Sequence, residues 1–372
     1  MSAIRILPYA IPALTAVFLA AIILLARLDR RKNRAAPGSP LLSVVIPAFN
    51  HGGTLPEAIE SLFRSYDPDK LELVVVDDAS TDATAEVLAR LRKRYRFEVL
   101  AKTRNEGKAG ALNDGCAKTR GELVLVLDAD TSVTRPILED LLGRLRHPRV
   151  GAASSRYLVA NRGFLPRMTG ITYAMLAFTQ AAQNSRSCLS LWGGCMMFKR
   201  AALEAMGEFR SRMLLEDMDA ALRLGEGGWK VEQAWTAVGT RVPARLADWI
   251  RQQVRWAAGL MQILLTYPRS EARNPFFVIG AFVYWSVSAG AVLALLLPGI
   301  YGFPVAAFLA GAFMLLSLPL AFASAPGKKW GSAPLVIPYT LVFFPLQATV
   351  VGIAFVIGIF RFFSLRRGGR AW

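Results

Sequence analysis

Histidine is nearly absent from this 372-residue chain, which holds only His51 and His147. Two imidazoles so few and so separated make histidine metal centres and Ser–His nucleophilic catalysis poor explanations of its chemistry. Cysteine is scarce as well. Cys116, Cys188 and Cys195 have neither zinc-ligand spacing nor the even count of a disulfide framework, and they fit a reducing compartment. Acid is the third shortage: 27 Asp and Glu face 44 Lys and Arg, a formal net charge of +17. Such a balance first points to nucleic acid, but no recognised nucleic-acid-binding motif is present, and no nucleic-acid partner is expected. Basic residues that flank membrane segments meet anionic headgroups, and a diphosphate substrate also favours a positive cleft.

Apolar sequence is in excess, with 53% hydrophobic residues against roughly 45–50% in ordinary soluble domains. The excess lies at the two ends. Residues 7–28 are almost uncharged up to Arg27, long enough for the ~20 residues of a spanning helix. Arg5 before this run leaves a cleaved signal peptide as the competing reading. The cluster Arg27, Arg30, Arg31, Lys32 and Arg34 after it suits a retained anchor whose carboxyl end is cytoplasmic. Further apolar stretches cover about 276–299, 303–325 and 334–360. The expected organisation is an anchor over 1–34, a linker over 35–41, a cytoplasmic domain over 42–248 and an amphipathic interface helix over 249–273. A membrane region with about three spans follows over 274–372, which makes a multi-pass protein of the plasma (inner) membrane. Three spans would leave Arg361, Arg366, Arg367 and Arg370 outside, against the positive-inside rule, unless the stretch with Pro338 and Pro345 is kinked or re-entrant.

Between these ends strand and helix patterns alternate. Strands are predicted over 42–47, 71–76, 97–101 and 123–127, and helices over 55–66 and 108–118. A helix running to about residue 95 can be capped by Ser80, Thr81 and Asp82. This alternation predicts an α/β domain with a doubly wound, mostly parallel sheet. Ligands of such sheets lie at the carboxyl ends of the strands.

Those ends carry the acids. The apolar run at 123–127 stops at Asp128 and Asp130. Residues i and i+2 of a strand point to one side, so both carboxylates can converge on Mg²⁺ or Mn²⁺, whose shell water and substrate phosphate complete. A solvated turn is the competing reading. Asp77 and Asp78 end the run at 71–76 and can accept hydrogen bonds from ribose hydroxyls or a base N–H; a plain Asp/Ser turn is the alternative. In the segment from Arg104 to Asn113, glycines permit close backbone approach, and Arg104 and Lys108 are candidate nucleotide contacts. Lys108, near a helix start, could reach a phosphate, although this is no Walker loop. Gly193 and Gly194 form a turn that either opens the backbone to a flat acceptor or is only tight. Glu216 is placed on the acceptor side. Asp217 could take the proton from an attacking hydroxyl, or merely cap the following helix. Gln252, Arg255 and Trp256 lie on an amphipathic pattern with Val254, Leu260, Ile263 and Leu264. Arg255 could neutralise a leaving diphosphate and Trp256 could face a sugar ring, with snorkelling at a membrane surface as the alternative.

Taken in order, the segments over 43–256 resemble the family 2 inverting glycosyltransferases. The nearest branch is the membrane-embedded, often processive synthases of cellulose, chitin, hyaluronan and poly-N-acetylglucosamine, with the chitooligosaccharide synthases of nodulation. The resemblance implies a GT-A fold and a nucleoside diphosphate sugar donor, commonly a UDP-sugar such as UDP-GlcNAc or UDP-Glc. It further implies that Asp77 and Asp78 bind uridine, and that Asp128 and Asp130 hold metal and diphosphate. Asp217 matches the catalytic base that ends a Thr-Glu-Asp motif, with Leu215 standing where Thr is usual. Gln252, Arg255 and Trp256 match the Gln-x-x-Arg-Trp signature of processive enzymes. The carboxyl-terminal region adds no regulatory domain, which weakens the expectation of a translocation pore like that of cellulose synthase. Three functions follow as alternatives. One is a synthase that extends a β-linked polysaccharide across the bilayer, with a polysaccharide export partner. Another adds a single sugar to a lipid acceptor. The third is a non-catalytic transporter or scaffold, against which the near absence of charge inside the apolar stretches counts.

Overall fold

The computed structural model describes residues 40–267 and a few positions within 20–29 and 339–350. The expected anchor and carboxyl-terminal spans otherwise fall outside the described residues, among which no helix is long and apolar enough to cross a membrane. The chain divides into two compact units. One comprises Lys32–Ala160 and Arg186–Arg241; the other comprises Met1–Arg31, Asn161–Ser185 and Val242–Trp372.

The first unit is built on seven strands: β1 (Leu42–Ala48), β2 (Leu71–Asp77), β3 (Glu98–Ala101), β4 (Leu123–Leu127), β5 (Val150–Val159), β6 (Cys195–Lys199) and β7 (Lys230–Thr240). Six α-helices accompany them among the described residues: α1 (Leu55–Ser65), α2 (Thr84–Leu91), α3 (Gly107–Lys118), α4 (Arg135–Leu145), α6 (Arg200–Met206) and α7 (Glu216–Glu226). The strand order is β3-β2-β1-β4-β6-β5-β7. β4 is a continuous apolar run, and β1 is one apart from Ser43, because both sit mid-sheet with both faces covered. Leu125 and Leu127 enter one hydrophobic cluster with Ile59, Leu62 and Leu141, while Val124 and Val126 enter the opposite one with Leu112 and Leu224.

The register decides what meets at the sheet edge. β1 runs parallel to β2 and β4, with Ala48 opposite Asp77 and Leu42 opposite Leu123, so the ends of all three strands reach one edge. The sheet is mostly parallel, as expected, and β6 is the exception. It is antiparallel to both β4 and β5, which makes the sheet mixed. The chain leaves this unit after β5 and returns at Arg186, so the excursion ends at the edge where it began and β6 must run back from there. Leu127 therefore pairs with Cys195, and the Gly193–Gly194 turn lands beside Asp128. Glycine also lets α3 sit close to the sheet: a Cβ on Gly115 would lie 2.3 Å from a methyl of Val45.

The second unit contains α5 (Phe164–Gln183) and α8 (Leu246–Thr266). The described span of α8 ends before the expected residue 273. Its buried face includes Trp249, Gln253, Ala257 and Met261. Within this unit Trp249 packs on Phe343, and Thr172 bonds the Tyr339 hydroxyl at 3.0 Å.

Candidate active site

Asp128 leaves the end of β4 with its amide donating to the Gly194 carbonyl at 3.0 Å. Its half-buried carboxylate lies 2.6 Å from the Lys108 ammonium, which reaches in from the first turn of α3. Burial pushes the Asp128 carboxyl up, Lys108 opposes this, and Asp130 and Glu216 add to it. For Lys108 burial acts downward, but Asp128 and Glu216 outweigh it and hold the ammonium above its ordinary range. Asp130 is exposed, with Thr131 Oγ1 donating to it at 3.3 Å. No cluster of three or more His, Cys, Asp or Glu suited to a metal occurs among the described residues. Mg²⁺ and Mn²⁺ usually take only one or two protein carboxylates and complete their shell with water and substrate phosphate. The paired strand-end acids fit a metal that arrives with a diphosphate.

Asp217 is at the start of α7, where three acids in the first turn favour the positive helix end. One carboxylate oxygen accepts from the Gly193 amide at 3.0 Å and the other from the Met218 amide at 2.7 Å. Burial pushes its pKa up to about 7, with Glu216 raising it further and Lys108 and the two amides pulling it down. Glu216 lies 3.3 Å from Lys108. Lys108 also donates to the Gly193 carbonyl at 3.2 Å. Lys108, Asp128, Glu216, Gly193 and Asp217 thus form one group. The glycine pair has a local cause here: a Cβ on Gly193 would lie 3.0 Å from the Asp217 carboxylate, and one on Gly194 2.6 Å from the Tyr157 hydroxyl.

At the end of β2 the two acids do different work. Asp78 is buried and takes the Glu106 and Gly107 amides at 3.0 and 2.8 Å, one on each oxygen. Asp77 accepts from the Ser80 amide at 3.0 Å and shapes the turn. Arg104 is exposed and bonded to Glu106 at 2.7 Å. A cavity of about 370 Å³ opens at this edge, lined by Asp78, Gly107, Lys108, Asp128 and Asp130. That volume is within the range of small-ligand pockets. Phe49, His51 and Asn105 line it too. They were not singled out from sequence, although Phe49 and His51 follow the end of β1, where the same strand-end logic applied. Asn50 between them adopts φ 59° and holds the β2 turn by accepting from the Thr81 amide at 2.8 Å. Asn enters that left-handed region more readily than most residues. Asp82 accepts from Thr84 and Gly52 amides and so fastens the start of α2. Gln252, Arg255 and Trp256 all lie on α8, in the second unit, where Trp256 packs against Tyr173 with ring centroids 6.2 Å apart.

The mixed α/β sheet thus carries an acid-lined cavity at the edge where ligands of such sheets bind. Residues 43–207 match the family described as Glycosyl transferase family 2. That stretch runs from β1 to just past the end of α6 and is less than half of the chain. Among similar proteins, the poly-beta-1,6-N-acetyl-D-glucosamine synthase of Staphylococcus epidermidis is 27% identical over 232 residues, covering 60% of this chain and 55% of that protein. The beta-monoglucosyldiacylglycerol synthase of Synechocystis is 30% identical over 245 residues, covering 63% and 51%. The chain spans about half of the length of these curated relatives. A mannosyltransferase of Pyrobaculum calidifontis, solved in complex with GDP-Man and Mn²⁺, shares the fold with a TM-score of 0.59 at 23% identity, covering 94% of this chain and 99% of that one.

Proposed function

We propose that the chain moves a sugar from a nucleoside diphosphate sugar, UDP-GlcNAc or UDP-Glc, to a growing β-linked polysaccharide by a single inverting displacement. The observation that carries this reading is the Asp217 carboxylate, fixed by the Gly193 and Met218 amides beside the Lys108–Asp128 pair. Asp128 and Asp130 would hold a Mg²⁺ or Mn²⁺ ion bound with the donor, which would supply Lewis-acid charge for the leaving diphosphate. Lys108 adds a fixed positive charge where negative charge develops. Asp217 accepts the proton of the acceptor hydroxyl as its oxygen bonds to the anomeric carbon and the bond to the diphosphate breaks. The Asp78-held turn and Phe49 border the space for the nucleoside.

The polymer as product is supported by the Gln252, Arg255 and Trp256 signature and by a relative named for poly-N-acetylglucosamine synthesis. The apolar runs at 7–28 and beyond 276 support a multi-pass inner-membrane protein with a cytoplasmic catalytic domain, which passes its product to the bilayer and an export partner. A second reading, one sugar added to a lipid, is favoured by the relative named for monoglucosyldiacylglycerol synthesis.

The test supplies radiolabelled UDP-GlcNAc, UDP-Glc, UDP-GlcA and GDP-Man with Mn²⁺ or Mg²⁺ to the purified full chain and sizes the products. A ladder is the expected result. A single lipid-soluble product would select the second reading, and no turnover with any donor would leave a non-catalytic scaffold.

A further inference from the structure

The Lys108 ammonium stands where a cation bound by Asp128 would stand. It lies 2.6 Å from one Asp128 oxygen and 3.3 Å from Glu216, and donates to the Gly193 carbonyl at 3.2 Å. Its position is set by backbone. Gly107, with φ +81°, opens α3, and the Asp78 carboxylate grips the Gly107 amide at 2.8 Å. The lysine is therefore held over the strand-end acids by the same turn that borders the nucleotide cavity.

We propose that Lys108 is a resident counter-ion that competes with the divalent metal for Asp128 and yields only when a nucleoside diphosphate arrives. The inference rests on the nucleotide-sugar reading of this cavity. A divalent ion approaching alone must break the pair with Asp128 and then sit beside an ammonium it repels. A diphosphate removes that conflict, because its oxygens accept the ammonium and ligate the metal together. Metal and nucleotide then bind as a mutually dependent pair, each strengthening the other by the same factor. The aim of such an arrangement is a site that loads metal and donor together.

Mn²⁺ binding to the full chain, purified in detergent and followed by electron paramagnetic resonance with and without UDP, tests this without reference to turnover. Wild type should bind Mn²⁺ weakly alone and much more tightly with UDP. Lys108→Met should tighten UDP-free Mn²⁺ binding by about tenfold or more, the scale of one close charge pair near a protein surface. Lys108→Arg keeps the competing charge and should stay near wild type. Equal UDP-free affinity in wild type and Lys108→Met would overturn the proposal. Should that variant not fold, wild type alone decides against it by binding Mn²⁺ equally with and without UDP. If no sugar donor turns over yet Lys108→Met still tightens Mn²⁺ binding, the transferase reading fails and the counter-ion role stands.

Discussion

Asp217 is a carboxylate whose surroundings favour its neutral form, and two measurements follow from that. Replacement by Asn keeps an acceptor for the Gly193 amide but removes the proposed base. Transfer should fall by about 10²–10⁴-fold, while UDP binding, measured by calorimetry, stays within a few-fold of wild type. Transfer at a near wild-type rate would remove Asp217 from the proton step. The second measurement concerns pH. With a pKa near 7, Asp217 is protonated in the free enzyme below neutrality, so kcat/KM should climb as pH rises from about 6 to 8. Stability runs the opposite way. An acid whose folded pKa exceeds its unfolded value of about 4 contributes stability below pH 4 that is lost as pH rises through 7. Asn escapes that loss. The Tm advantage of Asp217→Asn over wild type should therefore be larger at pH 8 than at pH 5.5, and an advantage independent of pH would contradict the buried-carboxylate account.

At the scale of elements, α3 is the part on which the site depends, because it carries Lys108 and packs against β1 and β2. Gly115→Ala tests that packing. The helix gains roughly 1 kcal/mol from losing a glycine. Against this, the new methyl would meet Val45, a fully buried β-branched residue with little room to turn, at 2.3 Å. Overpacking of this kind costs about 1–3 kcal/mol and should prevail, lowering Tm and weakening UDP binding as α3 is displaced. A raised Tm would show that the interface yields. The same elements mark what could be read in advance. β1, β2 and β4 were legible because buried parallel strands are continuous apolar runs, and the acids at their ends followed. β5 and β7 were not foreseen. Their segments mix polar residues with apolar ones, since Arg156 faces Trp235 and Glu232 pairs with the buried Arg144 of α4. Nor does local pattern reveal that β6 runs antiparallel, because direction is set by where the chain re-enters the sheet. The closeness of Lys108 to Asp128, 20 positions apart in sequence, is likewise a product of register.

On the scale of the whole molecule, the acids and the Gln-x-x-Arg-Trp signature belong to different units, the former in Lys32–Ala160 and Arg186–Arg241 and the latter on α8. The helix α5, assigned with α8, carries apolar residues on nearly all sides, including the exposed Phe164 and Leu176. A helix apolar all round is one that expects cover from protein or lipid. If the proposed transfer chemistry sits in the first unit and product holding in the second, the two are separable by substitution. Asp217→Asn removes the proposed proton acceptor and should slow formation of all products alike, by about 10²–10⁴-fold. Trp256→Ala instead removes a ring that packs on Tyr173 within its own unit and leaves Asp217, Lys108 and Asp128 in place. If Trp256 holds the sugar chain between additions, early release should shorten the ladder while initial donor consumption changes by no more than about fivefold, the scale of one aromatic–aromatic contact worth ~1 kcal/mol. Gel sizing of radiolabelled product at matched donor consumption reads the two effects apart. A ladder of unchanged length from Trp256→Ala would take Trp256 out of acceptor holding and leave the signature a structural one in α8.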